Sequence, residues 1–87
     1  MELLSEAQVW ELAGETNPPV LFKQENETTE SAVCLKQFPS CLILGVSSDV
    51  IDRAEFYKFH DKTAAVQAYE RFVSFMEKSS FPFESDP

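Results

Sequence analysis

Apolar and polar positions along this chain of 87 residues recur with two different periods, and each change of period marks an element. Val9, Leu12 and Ala13 fall at helical spacing with Trp10 beside them, while Glu6 and Glu11 point the other way. Ser5 and Gln8 stand as a capping-box pair, and Leu4 and Val9 occupy the positions of a hydrophobic staple. Gly14 is a natural stop. Thr16-Asn17-Pro18-Pro19 then forces an extended connection. The pattern predicts a short N-terminal helix.

Four strand-like runs follow, over residues 20–25, 32–38, 41–47 and 54–60. The third is apolar on both faces, as expected of a central strand. Glu25 to Glu30 form a polar link, and Ser48 to Asp52 read as a turn. With Pro39-Ser40 at the centre of a tight turn, Phe38 faces Cys41 and Cys34 faces Gly45. That register puts Val33, Leu35, Leu42, Leu44 and Val46 on one sheet face. Ala32, Cys34, Phe38, Cys41 and Ile43 share the other. Links this short predict an antiparallel meander.

Asp61 is suited to cap a helix over residues 62–78. Its apolar stripe is Ala65, Tyr69, Phe72 and Met76, widened by Ala68, Val73 and Phe75, with Glu70 and Arg71 on the wet side. Residues 79–87 read as a frayed tail, whose Phe81-Pro82-Phe83 has two readings: a loose end that packs back on the core, which is favoured, or a docking peptide. The predicted fold is one α+β domain over residues 1–87: a short N-terminal helix, a four-stranded antiparallel meander, and a long amphipathic helix on one sheet face. The long helix covers only one face. The other is left to the short helix or to a partner chain.

Composition supports a single core and removes several classes of function. Apolar residues make up 44% of the chain, with eight Phe, two Tyr and one Trp, which suffices for a core without staples. No run approaches the roughly 20 apolar residues of a membrane helix, and Met-Glu-Leu-Leu-Ser-Glu has acids where a secretory signal has bases. A soluble, cytoplasmic chain is expected. Asn26-Glu27-Thr28 fits a glycosylation site, but without an export signal the match is accidental. Cys34 and Cys41 would lie about 13 Å apart at strand rise, too far for a bridge. With no cationic neighbour in sequence, both read as buried, slow-reacting free thiols, suited to a reducing compartment.

Catalytic chemistry lacks its parts. The lone histidine, His60, stands at a strand end with no nucleophile and orienting group in view. One His and two Cys lack the paired short spacings of zinc sites, and Asp49 and Asp52 lack the glycine and closing Glu of a calcium loop. No glycine-rich loop cradles phosphate. The seven bases are dispersed, which argues against direct nucleic-acid binding. No enzyme activity, metal or cofactor is expected.

Charge is the remaining signal. The formal net charge is −8, and the first thirty residues contribute −6 of it, with seven carboxylates and the single base Lys23. Glu11 and Glu15 stand one helical turn apart, and Glu25, Glu27 and Glu30 crowd the first link. The plain reading is a solvated rim. The sharper one is an acidic face that enters a basic groove on another protein, with Trp10 and Phe22 as desolvated anchors. In size, charge and element order the chain resembles small acidic phage-encoded inhibitors: anti-CRISPR proteins and DNA mimics such as uracil-DNA glycosylase inhibitors. Lys23-Gln24-Glu25 and Glu30-Ser31 echo the acidic strand-edge contacts of such inhibitors, but no residue role carries over. The resemblance implies a protein partner with a basic surface. The competing expectation is an accessory or structural subunit, a homodimer joined through the second apolar sheet face.

Overall fold

The computed structural model of the protein describes residues 2–79. Its elements are β1 (Glu2–Leu4), α1 (Glu6–Ala13), β2 (Val20–Asn26), β3 (Ser31–Gln37), β4 (Leu42–Ser48), β5 (Arg53–Phe59) and α2 (Lys62–Ser79). The strands form one antiparallel sheet in the order β1-β5-β4-β3-β2. The α+β class and the meander agree with the sequence pattern. The expected tail begins beyond the last described residue, apart from Ser79, which ends α2.

The turn between β3 and β4 sets the register. Phe38 N–H donates to the Cys41 carbonyl at 2.8 Å, Cys34 stands opposite Gly45, and Leu35 stands opposite Leu44. Val33, Leu35, Leu42, Leu44 and Val46 therefore point to one face, joined there by Tyr57 and Phe59. α2 lies on this face and buries Ala65, Ala68, Phe72 and Met76. Phe72 stacks on Tyr57 at 5.4 Å and meets Phe75 edge-on at 6.0 Å. Asp61 caps the helix, its carboxylate accepting from Ala64 N–H at 3.2 Å.

The second face carries a smaller core of Leu4, Ala13, Phe38, Cys41 and Ile43, with Val9, Leu12 and Phe56 packed against it. α1 supplies three of these residues. Its capping box is present in both directions: Gln8 N–H donates to Ser5 Oγ, and Ser5 N–H donates to Gln8 Oε1. Leu4 is buried and Val9 half-buried in this cluster, as a hydrophobic staple requires. Gly14 ends the helix at φ 59°, a backbone region that favours glycine.

The sheet has five strands, not four. β1 pairs with β5 through Glu2–Lys58, Leu3–Tyr57 and Leu4–Phe56. Three residues are too few to display an alternation, and only the neighbouring edge of β5 makes them a strand. The strand limits also move by one residue: β2 runs on to Asn26, β3 begins at Ser31, β4 ends at Ser48 and β5 begins at Arg53. Pairing between the chains of the ladder, Ser31 with Ser48 and Ser48 with Arg53, extends it past the point where hydrophobicity stops.

Phe72 is completely buried between the sheet and its own helix. Phe72→Ala should destabilise the protein by about 3–5 kcal/mol, the usual range for deleting a buried ring. The denaturant midpoint measures this. An unchanged midpoint would remove the ring from the core.

Candidate functional site

The first acidic link is a tightly built turn. Asn26 Oδ1 accepts from Thr28 N–H at 3.0 Å, and Glu30 N–H donates to the Glu27 carbonyl at 3.3 Å. Glu30 takes φ 48°, the left-handed conformation that reverses the chain into β3. The link is tied to its surroundings on three sides. Asn26 Nδ2 donates to the Met76 carbonyl of α2 at 3.2 Å, Ser48 Oγ donates to the Thr29 carbonyl at 2.8 Å, and Asp49 N–H donates to the Glu30 carbonyl at 3.0 Å.

These bonds gather the carboxylates of Glu25, Glu27, Glu30 and Asp49 around one open hollow of about 380 Å³ at the end of the sheet, with Ser31, Ala32 and Ser47 in its lining. Asp49 is the residue that sequence reasoning left out. Its place follows from the β3–β4 register, because Ser31 opposite Ser48 sets Glu30 beside Asp49. Lys23 Nζ lies 3.0 Å from Glu25 Oε1, and both side chains are exposed. This pair holds the Lys23 ammonium above its ordinary pKa, by hydrogen bonding first and charge second. Glu27, Glu30 and Asp49 have no ion pair among the described residues.

The other sequence candidates stand elsewhere. Ala13 packs beside Phe38 and Cys41, and Pro19 accepts from Gln37 N–H at 3.0 Å. Glu15 is therefore at the opposite end of β3 from the hollow, a separation of roughly 20 Å for a strand of this length. Glu11 and Trp10 are exposed on α1, Trp10 at 69%. Phe22 is 44% exposed on the other side of the sheet, against Tyr69 of α2 at 5.5 Å between ring centroids. The structure thus brings Glu25, Glu27 and Glu30 together, and leaves Glu11, Glu15, Trp10 and Phe22 apart from them.

Beside α1, the second face opens into a hollow of about 370 Å³, walled by the apolar Val9, Val20, Phe38, Ile43 and Phe56, with the small residues Ala32, Cys34, Gly45 and Ser47 among them. The Phe56 ring crosses above Gly45, where a Cβ would come within 3.3 Å of it. Lys23 and Lys36 stand at this hollow. Cys34 and Cys41 are free, as expected, but only Cys41 is buried; Cys34 is half-buried because it faces the hollow that α1 leaves open. The expectation that neither has a cationic neighbour is corrected for Cys34: Lys23 lies directly across the strand pair and Lys36 two residues along β3. Sequence reading missed Lys23 because only the β2–β3 pairing brings it near.

Among the described residues no group of three or more His, Cys, Asp and Glu is placed to hold a metal ion. No described helix is long and apolar enough to cross a membrane. No family model, no curated protein and no solved structure matches the chain.

Burial pushes the Cys34 thiol above its ordinary value, and Lys36 and then Lys23 pull it back only in part. The protonated thiol is thereby favoured at neutral pH, and thiols react as thiolates. Iodoacetamide should alkylate Cys34 more slowly than an unperturbed thiol at neutral pH, with a rate still climbing above pH 9.0, the ordinary value. Lys36→Gln should slow it further, because losing the cation destabilises the thiolate. A rate equal to that of a free thiol would contradict the assignment.

Proposed function

We propose that the chain is a small acidic binding module, an inhibitor or adaptor that docks on a basic protein surface of the kind that otherwise holds nucleic acid. The observation that carries this reading is the turn at the end of the sheet. Glu27, Glu30 and Asp49, which have no ion pair among the described residues, project there from a backbone held in place by hydrogen bonds. A backbone already held in place needs no ordering when the turn docks, and the field of the carboxylates speeds the encounter. Glu25 stands beside them but is committed to Lys23. Glu11, Glu15 and Trp10 belong to the far end, so they would serve a large partner or none.

The competing reading, an accessory subunit joined through the second sheet face, draws on the open hollow beside α1. α1 already helps to bury Phe38, Cys41 and Ile43, and what remains is a hollow lined by Val9, Val20 and Phe56 together with smaller side chains. A stable dimer through this face would need on the order of 800 Å² per partner.

The test is charge reversal at the turn. Glu27→Lys, Glu30→Lys and Asp49→Lys together should leave the thermal midpoint nearly unchanged, because all three side chains are exposed. Tagged parent and variant chains are then used to capture proteins from the source cells at low and high salt. The basic proteins held by the parent should fall about tenfold or more with the variant at low salt, and differ less at high salt. Equal capture of the same proteins at low salt would reduce the turn to a solvated rim.

A further inference from the structure

β2 is an open edge. β3 lies along one side of it, and no strand lies along the other among the described residues. The opposite edge of the sheet, β1, is only three residues long.

The hydrogen-bonding sense of each residue in β2 can be read from its neighbours. Phe38 N–H donates to Cys41 of the β4 side, and Gln37 N–H donates to Pro19 at the start of β2. Successive residues of a strand turn their backbone groups to opposite sides. Leu35, Val33 and Ser31 therefore bond toward β2, where they stand opposite Phe22, Gln24 and Asn26. Lys23 and Glu25 are left with both N–H and C=O directed away from the sheet.

We infer that β2 pairs antiparallel with β2 of a second copy of this chain, about a two-fold axis at Gln24. Outward-facing residues must meet outward-facing residues, and three registers bring these two together. One sets Lys23 against the partner's Lys23, and another sets Glu25 against the partner's Glu25; both place like charges directly opposite and are disfavoured. The third sets Lys23 against the partner's Glu25 and, by symmetry, Glu25 against the partner's Lys23. Each of these two pairs exchanges both of its N–H···O bonds and joins opposite charges on one sheet face.

Charged residues on a sheet edge commonly prevent association. Here their alternation filters the register, excluding the repulsive alignments and leaving one that is self-complementary, as an isologous contact requires. The existing Lys23–Glu25 pair is exposed, with side chains 53% and 62% accessible, so exchanging it for intermolecular pairs meets little resistance. The register shift between Val20 and Phe22 bends the start of the strand and confines the contact to the segment after it. A seam this short makes a weak dimer whose population follows concentration.

Sedimentation velocity on the intact chain from about 10 μM to about 1 mM tests this. The parent mass should rise with concentration from one chain of 9.9 kDa toward two. Amide exchange at Lys23 and Glu25 should slow in parallel, while Gln24, already bonded to β3, changes little. Lys23→Glu or Glu25→Lys alone should weaken association about tenfold or more, and the two substitutions combined in one chain should restore it. Lys23→Pro should abolish it without unfolding the monomer, because the lost N–H points away from β3. A mass that stays at one chain throughout would overturn the inference, as would a dimer whose Lys23 and Glu25 amides exchange as fast as in the monomer. Reversing Glu27, Glu30 and Asp49 leaves this seam intact, so its failure and that of the acidic turn are separately visible.

Discussion

The two-residue turn at Pro39-Ser40 is the constraint on which the rest of the structure depends. Its closing bond, Phe38 N–H to the Cys41 carbonyl, fixes the pairing of β3 with β4 for the full length of both strands. A slip of β4 by one residue would send Leu42, Leu44 and Val46 to the wrong face and Ile43 beneath α2. The same register reaches the far end of the ladder. There it seats Ser31 against Ser48 and brings Asp49 to Glu30. A turn at one end of the sheet thus decides which carboxylates meet at the other.

The two central strands carry apolar side chains on both faces, and the chain covers those faces unequally. α2, with 18 residues, spans the first face, while α1, with eight, reaches only part of the second. Side-chain size follows this division. Beneath α1 the sheet presents Ile43 and Phe56; where α1 stops it presents Ala32, Cys34, Gly45 and Ser47. Gly45 also makes room for Phe56, whose ring lies where a Cβ would contact it. Small residues lower the sheet where the short helix stops, so the second face opens there as a hollow with apolar walls.

Whatever rests on local periodicity was legible in the sequence. The stripe of α2, the capping box at Ser5 and Gln8, the staple of Leu4 and Val9, and the two faces of the central hairpin all follow from spacing within a few residues. Features that need two distant segments were not. β1 exists because β5 offers it an edge, and Leu4 alone signals its burial. Lys23 approaches Cys34 only through the pairing of β2 with β3. The acidic residues looked like one set because they are close in sequence, yet the chain between Glu15 and Glu25 runs the length of the sheet and divides them. Asp49 could have been found by carrying the 38–41 register outward to the strand ends.

Charge on this protein is organised in two ways with opposite consequences. Along the β2 edge Lys23 and Glu25 balance each other on one face, as Arg53 and Glu55 do at 2.9 Å within β5. At the end of the sheet Glu27, Glu30 and Asp49 have no such counterpart among the described residues. A surface that meets its own copy must be complementary to itself, and alternating charges satisfy that condition in one register. A surface of a single sign cannot, since every approach of two copies sets carboxylate against carboxylate. The balanced edge is therefore suited to a second copy of the chain. The unbalanced turn repels its own kind, so its single sign of charge sets it apart from the self-complementary edge.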